Sequence, residues 1–152
     1  MKIGIYGGTF NPPHLGHLAA ARTALDALKL DKLILMPAAV PPHKVLPENS
    51  PAQEHRLAMV ERMADAMERP GAVEVSTLEL EREGKSYTSD TLEAIHRQYP
   101  EAELWLLMGT DMFLTLHLWH EPGTILRLAG ICAFGRSEQD GEDVFAPQRE
   151  FL

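Results

Sequence analysis

Five short apolar runs punctuate the chain: IGIY at 3–6, LILM at 33–36, VEV at 73–75, LWLLM at 104–108 and ICAF at 131–134. Most are too uniformly apolar to leave a wet face, which predicts strands covered on both sides. Between them the period lengthens. Leu18, Ala21, Leu25 and Leu28 recur at helical intervals, and Leu57, Val60, Ala64 and Met67 repeat the same spacing, so each set marks one buried stripe of a helix. Leu92, Ile95 and Tyr99 mark a third. Strands alternating with helices imply right-handed βαβ units, hence an α/β fold with a mainly parallel sheet and helices on both faces. The proline-rich PAAVPPHKVLPENSP at 37–51 is a long loop, because strand and helix patterns flank it. Neither a repeat nor a low-complexity linker divides the chain, so residues 1–152 are expected to form a single domain.

In an open parallel sheet, ligands bind beyond the carboxyl ends of the strands. The chemically unusual loops fall there: GGTFNPPHLGH (7–17) after the first strand, PAAVPPHK (37–44) after the second and GTD (109–111) after the fourth. In the first of these, the glycine pair Gly7 and Gly8 lets backbone approach a ligand closely. The helix expected to begin near Leu15 points unpaired N–H groups and a positive dipole end into the loop, which makes an anion site. Thr9 adds a hydroxyl donor. His14 and His17, three apart at the helix start, lie on one face and reach toward the same phosphates.

Composition narrows the ligand. The hydrophobic share of 45% and the charged share of 24% are those of an ordinary soluble protein, and no apolar run is long enough to cross a bilayer. The net charge of −8 argues against a general nucleic-acid or acidic-membrane binder. Residues 1–47, however, hold Lys2, Arg22, Lys29, Lys32 and Lys44 against Asp26 and Asp31, a local +3 that leaves −11 for the remainder. An anionic small molecule is therefore expected near the first part. The single cysteine, Cys132, reads as a buried core residue in a reducing cytoplasm, and MKIGIYGG carries no secretory signal.

Competing motifs fail on spacing. Gly7, Gly8 and Gly16 do not fit the dinucleotide fingerprint G-x-G-x-x-G, and GKS at 84–86 lacks the earlier glycine of a Walker A loop, since position 79 is Glu. His14/His17 and His117/His120 are both H-x-x-H pairs, but no third ligand is evident and no metal held by the protein is expected.

GGTFNPPHLGH resembles the first signature of the HxGH nucleotidyltransferases. PPHK (41–44), SYTSDTL (86–92) and LMGTDMFLTLHLWHEP (107–122) extend the resemblance to the bacterial nicotinate-nucleotide adenylyltransferase family. Phosphopantetheine adenylyltransferases share a related opening but typically carry Thr where His14 stands. The resemblance implies a Rossmann-like nucleotidyltransferase fold and transfer of AMP from ATP to nicotinate mononucleotide, giving deamido-NAD and pyrophosphate, with Mg²⁺ on the triphosphate. It implies that His14 and His17 hold the ATP phosphates as the catalytic pair, and that Gly8, Thr9 and Phe10 position the α-phosphate. Gly109 and Asp111 resemble the nucleotide-binding G-x-D. Lys44 would meet phosphate, while Tyr87, Thr88 and Trp119 would receive the pyridine ring and its carboxylate. Set apart from the resemblance, Lys44 reads equally well as a solvated loop lysine, Thr88 as a helix cap and Trp119 as a core aromatic.

One family signature is absent: an I-S-S-T-x-I-R-like block near the C-terminus that helps bind triphosphate. After ICAFGR the sequence runs SEQDGEDVFAPQREFL, acidic at Glu138, Asp140, Glu142 and Asp143, with only Arg136 and Arg149 as late cations. The expectation is a domain lacking the family's C-terminal part. A catalytically inactive nucleotide-binding module of the same fold is the alternative, and phosphopantetheine is a second acceptor to test.

Overall fold

The computed structural model describes residues 1–8, 10, 15–38, 53–69, 71–81 and 87–134. Five strands, β1 (Lys2–Gly8), β2 (Lys32–Pro37), β3 (Val73–Val75), β4 (Glu103–Gly109) and β5 (Ala129–Phe134), form one sheet in the order β3-β2-β1-β4-β5. Every neighbouring pair is parallel. Three longer helices, α1 (Leu15–Ala27), α2 (Gln53–Ala66) and α3 (Thr88–Gln98), carry the predicted stripes. The connection from β4 to β5 holds a single turn, α4 (Thr110–Phe113), a 3-10 turn (Leu116–Leu118) and α5 (Pro122–Leu128).

The sheet divides the apolar side chains by alternation. Ile3, Ile5, Ile34, Met36, Leu104, Leu106 and Met108 face Leu92 and Ile95 of α3 and Ile125 of α5. Tyr6, Leu33, Leu35 and Leu107 face Ala21, Ala24 and Leu25 of α1 and Val60 and Met63 of α2. Helices therefore cover both faces, as the uniformly apolar strands require. The crossovers β1–α1–β2 and β2–α2–β3 step one way across the sheet over the second face. Those through α3 and through α5 step the other way over the first face. Reversing direction and face together leaves all four crossovers with one hand, as the handedness rule demands. No helix among the described residues is long and apolar enough to cross a membrane.

The structure departs from the sequence pattern in three places. The strand predicted over 3–6 runs on through Gly7 and Gly8, which pair with Met36 and Pro37: glycine carries no hydrophobic signal, yet its backbone continues the ladder. The helices of 110–128 were not predicted, because one or two turns are too short to display a period. Cys132, expected in the core, is half-buried on β5, an edge strand of which only Ala129 is fully covered. Partial burial still pushes its thiol pKa up.

Trp105 lies flat across Gly130. A Cβ built on Gly130 would sit 2.8 Å from Cε3 and Cζ3 of that indole, atoms of a rigid ring. Alanine would gain about 0.4–1 kcal/mol from a stiffer unfolded chain but lose about 1–3 kcal/mol to overpacking, so the clash prevails. Gly130→Ala is expected to lower the thermal midpoint, and an unchanged or raised midpoint would show that the indole gives way.

Candidate active site

The sheet order reverses direction between β1 and β4, since β1 leads by way of α1 to β2 on one side while β4 lies on its other side. The hydrogen-bond ladders show what this does to the backbone. β1 stays paired with β2 through Gly8↔Pro37, and β4 stays paired with β5 through Gly109↔Phe134. The β1–β4 ladder ends earlier, at Tyr6↔Leu107. The two central strands thus part company over their last two residues, which opens a crevice at the topological switch point. Continuing the register brings Gly8 level with Gly109 on opposite lips of that crevice. A Cβ on either would meet no described atom within 4 Å. Gly8 is anchored on its outer side, where its carbonyl accepts from the Ala38 N–H at 2.9 Å.

From this lip the chain passes Phe10 and enters α1 at Leu15, so that Gly16 and His17 occupy the first helical turn. His17 is half-buried and its ring lies in an aromatic group. The centroids of Phe10 and Tyr6 lie 5.0 Å and 6.1 Å from it, both edge-to-face. Tyr6 and Phe10 are themselves 5.5 Å apart, and Phe134, at the end of β5, stands 5.9 Å from Tyr6. Burial of Tyr6 raises its phenol pKa to about 12. Asp111 is the second residue of α4, immediately beyond Gly109. Thr9, His14 and Lys44 lie outside the described residues.

A second group assembles on the same edge of the sheet. The last turn of α3 reaches the amino edge, where Lys32 of β2 donates to the Tyr99 hydroxyl at 3.3 Å. The first turn of α3 must therefore lie at the carboxyl edge. Tyr87 is the N-cap, in extended conformation and without a side-chain cap bond, and Thr88 is the first helical residue rather than the cap. The Tyr87 ring stacks on His120 at 4.3 Å and 29°. That contact brings the start of α3 against the segment carrying Trp119. The Trp119 indole N–H donates to the Thr115 hydroxyl at 3.0 Å, which donates in turn to the Met112 carbonyl, and the ring packs against the core. Behind this wall, Thr91 of α3 donates to the buried Glu79 carboxylate at 2.8 Å and to the Tyr87 carbonyl at 3.3 Å.

The structure therefore gathers Gly8, Phe10, His17, Gly109 and the backbone of Asp111 at the crevice, and Tyr87, Thr88 and Trp119 beside the start of α3. Tyr6, His120 and Glu79 are additions that sequence reasoning missed. Tyr6 lies within the apolar run 3–6 and only the fold turns it toward α1, and His120 stands in the sequence as half of an H-x-x-H pair. Nothing local in the sequence marks Glu79. Among the described residues no three His, Cys, Asp or Glu side chains cluster as metal ligands.

A parallel sheet with helices on both faces, opened at its switch point beside a helix start, defines an α/β protein of Rossmann-like architecture. The chain belongs to the cytidylyltransferase-like family, whose model matches residues 5–150. Two curated relatives bear the name "Probable nicotinate-nucleotide adenylyltransferase". The one from Gemmatimonas aurantiaca is 41% identical over 136 residues, covering 90% of this chain and 62% of its own. The one from Trichlorobacter lovleyi is 45% identical over 139 residues, covering 91% and 63%. A crystal structure from Vibrio parahaemolyticus named "Putative Nicotinate-nucleotide Adenylyltransferase" matches with a TM-score of 0.70 at 26% identity, over 92% of this chain and 78% of that one. The chain spans about three fifths of the length of the curated relatives it matches.

The raised Tyr6 pKa makes stability sensitive to alkali. Above about pH 10 the unfolded chain releases this proton while the folded state still holds it, so stability falls as pH rises toward about 12, by about 2–3 kcal/mol in all. Tyr6→Phe should remove that component: in urea melts from about pH 9 to about pH 12 the variant should lose stability less steeply than its parent. Equal slopes would mean that the phenol is not protected from ionisation.

Proposed function

We propose that this chain carries the transfer site of a nicotinate-nucleotide adenylyltransferase, joining nicotinate mononucleotide to the AMP of ATP to give deamido-NAD and pyrophosphate in NAD biosynthesis. The observation that carries the reading is the crevice between Gly8 and Gly109 with His17 in the first turn of α1 beside it. Side chains are absent from both lips, so backbone and helix-terminal N–H groups are free to approach a phosphate chain. The names of the relatives support the choice of substrates.

The chemistry demanded is modest. The mononucleotide phosphate is already an anion and attacks the α-phosphorus in line with departing pyrophosphate, so no covalent intermediate or strong base is needed. Positioning and neutralisation of charge suffice. His17, with His14 of the same motif, would donate to the triphosphate oxygens as charge moves onto the leaving group. Thr9 and the backbone of Gly8 and Phe10 would hold the α-phosphate, and Lys44 would meet phosphate as a point charge. Asp111 suits the ribose hydroxyls. ATP would enter as its Mg²⁺ complex, the hard cation being bound mainly by phosphate oxygens and water.

The second group suits the pyridine half. Trp119 offers an aromatic face beside the Tyr87–His120 stack, and the first turn of α3, which lacks a side-chain cap, offers N–H groups with Thr88 to a carboxylate. The substrates are thus small molecules rather than nucleic acid, and the cytoplasm is the compartment in which we place the reaction.

Pyrophosphate release by the chain given MgATP and nicotinate mononucleotide tests the reading, with nicotinamide mononucleotide and phosphopantetheine offered in parallel. Turnover should favour the acid nucleotide, and His17→Ala should lower kcat by about 10²–10³-fold while leaving the thermal midpoint near the parent's. Turnover preferring phosphopantetheine would reassign the acceptor. A folded chain that binds ATP yet releases no pyrophosphate would leave the lacking C-terminal part and the inactive nucleotide-binding module as the two explanations, and activity recovered in a C-terminally extended chain would decide for the first.

A further inference from the structure

We infer that the ring of Phe10, as distinct from its backbone, is the positioning element that sets the orientation of the His17 imidazole. This rests on the adenylyl-transfer reading for its consequence, but not for its geometry. Phe10 has φ +47°, a left-handed conformation that residues with a side chain rarely adopt and that glycine adopts freely. A sequence with glycines at 7 and 8 nonetheless places a bulky aromatic side chain here. The ring is the compensating feature, being only 2% exposed.

The ring's neighbours tell what the burial achieves. Phe10 meets His17 at 5.0 Å and 71°, and Tyr6 at 5.5 Å and 66°, while Tyr6 meets His17 at 6.1 Å and 68°. Three rings from β1, the loop and α1 thus close a triangle in which each is edge-to-face to the other two. Such pairs are directional as well as apolar. An imidazole held against two ring systems at fixed angles has few rotamers left. Tyr6 is in turn backed by Phe134, so the orientation of His17 is tied to the sheet through β1 and β5 rather than to the loop alone. The left-handed turn at residue 10 brings the ring back under the helix start, which an extended backbone at that position would not do.

Two substitutions separate ring from backbone. Phe10→Gly admits the left-handed turn without steric strain and removes the ring. Phe10→Leu keeps an apolar side chain and removes the aromatic edge. Each is measured by thermal melting, by kcat and KM for MgATP, and by NMR of the His17 imidazole protons. In folded protein we expect both variants to lose about 10²-fold in kcat with little change in KM, since a catalytic group is misplaced while binding contacts stay. The His17 resonances should move and broaden as the ring-current field of Phe10 disappears. Parental kcat in either folded variant, or unmoved imidazole resonances, would overturn the proposal. If the parent itself shows no turnover, that result bears on the adenylyl-transfer reading and not on this one, and the imidazole spectrum alone decides whether Phe10 orients His17.

Discussion

The central constraint in this protein is a ladder that stops short. β1 and β4 run side by side in the middle of the sheet, yet their pairing ends at Tyr6 and Leu107 while each remains bonded to its outer neighbour for two residues more. The cause is topological. The chain leaves the ends of β1 and β4 in opposite directions and over opposite faces, so no connection closes the space between them. The crevice follows from sheet order, and among the described residues no side chain comes within 4 Å of a Cβ built on the glycine at either lip. The helix that leaves the first lip turns its N-terminus back to the same opening.

Around this frame the protein divides its work between two layers. On the face covered by α1 and α2, aromatic rings descend from the crevice into the core, from His17 to Phe10 and Tyr6 and on to Phe134. On the face covered by α3 and α5, the start of α3 and the turn before α5 are joined by Tyr87 and His120. Polar groups are buried there too, and two pairs hold the layer together: Thr91 with Glu79, Trp119 with Thr115.

How much of this was legible in the sequence depends on whether the cause was local. The strands of the sheet's interior could be read because burial on both faces leaves uniformly apolar runs, as at LILM and LWLLM. Helices α1 to α3 could be read because each is long enough to repeat a stripe. The GGTF…HLGH segment carries its expectation of an anion site in residue types whose chemistry is local. By contrast, the early end of the β1–β4 ladder depends on which strands become neighbours, and no periodicity encodes that. The Tyr87–His120 stack joins two segments that only the packing of α3 near α5 brings together, and α4 and α5 are too short to show a period.

Phe10 shows why the two kinds of information must be combined. In the motif it is one letter between Thr9 and Asn11, and its backbone amide is the part with obvious chemistry. The fold adds that this residue is twisted into a left-handed turn and that its ring is almost wholly buried. Neither fact alone assigns a role: a left-handed residue could serve the loop, and a buried phenylalanine could serve the core. Their coincidence beside His17 is what distinguishes it. A glycine would satisfy the turn, and an aliphatic residue would fill much of the volume. Only an aromatic ring also gives the imidazole a directional surface, and this turn is the means by which the chain delivers that ring beneath the helix start.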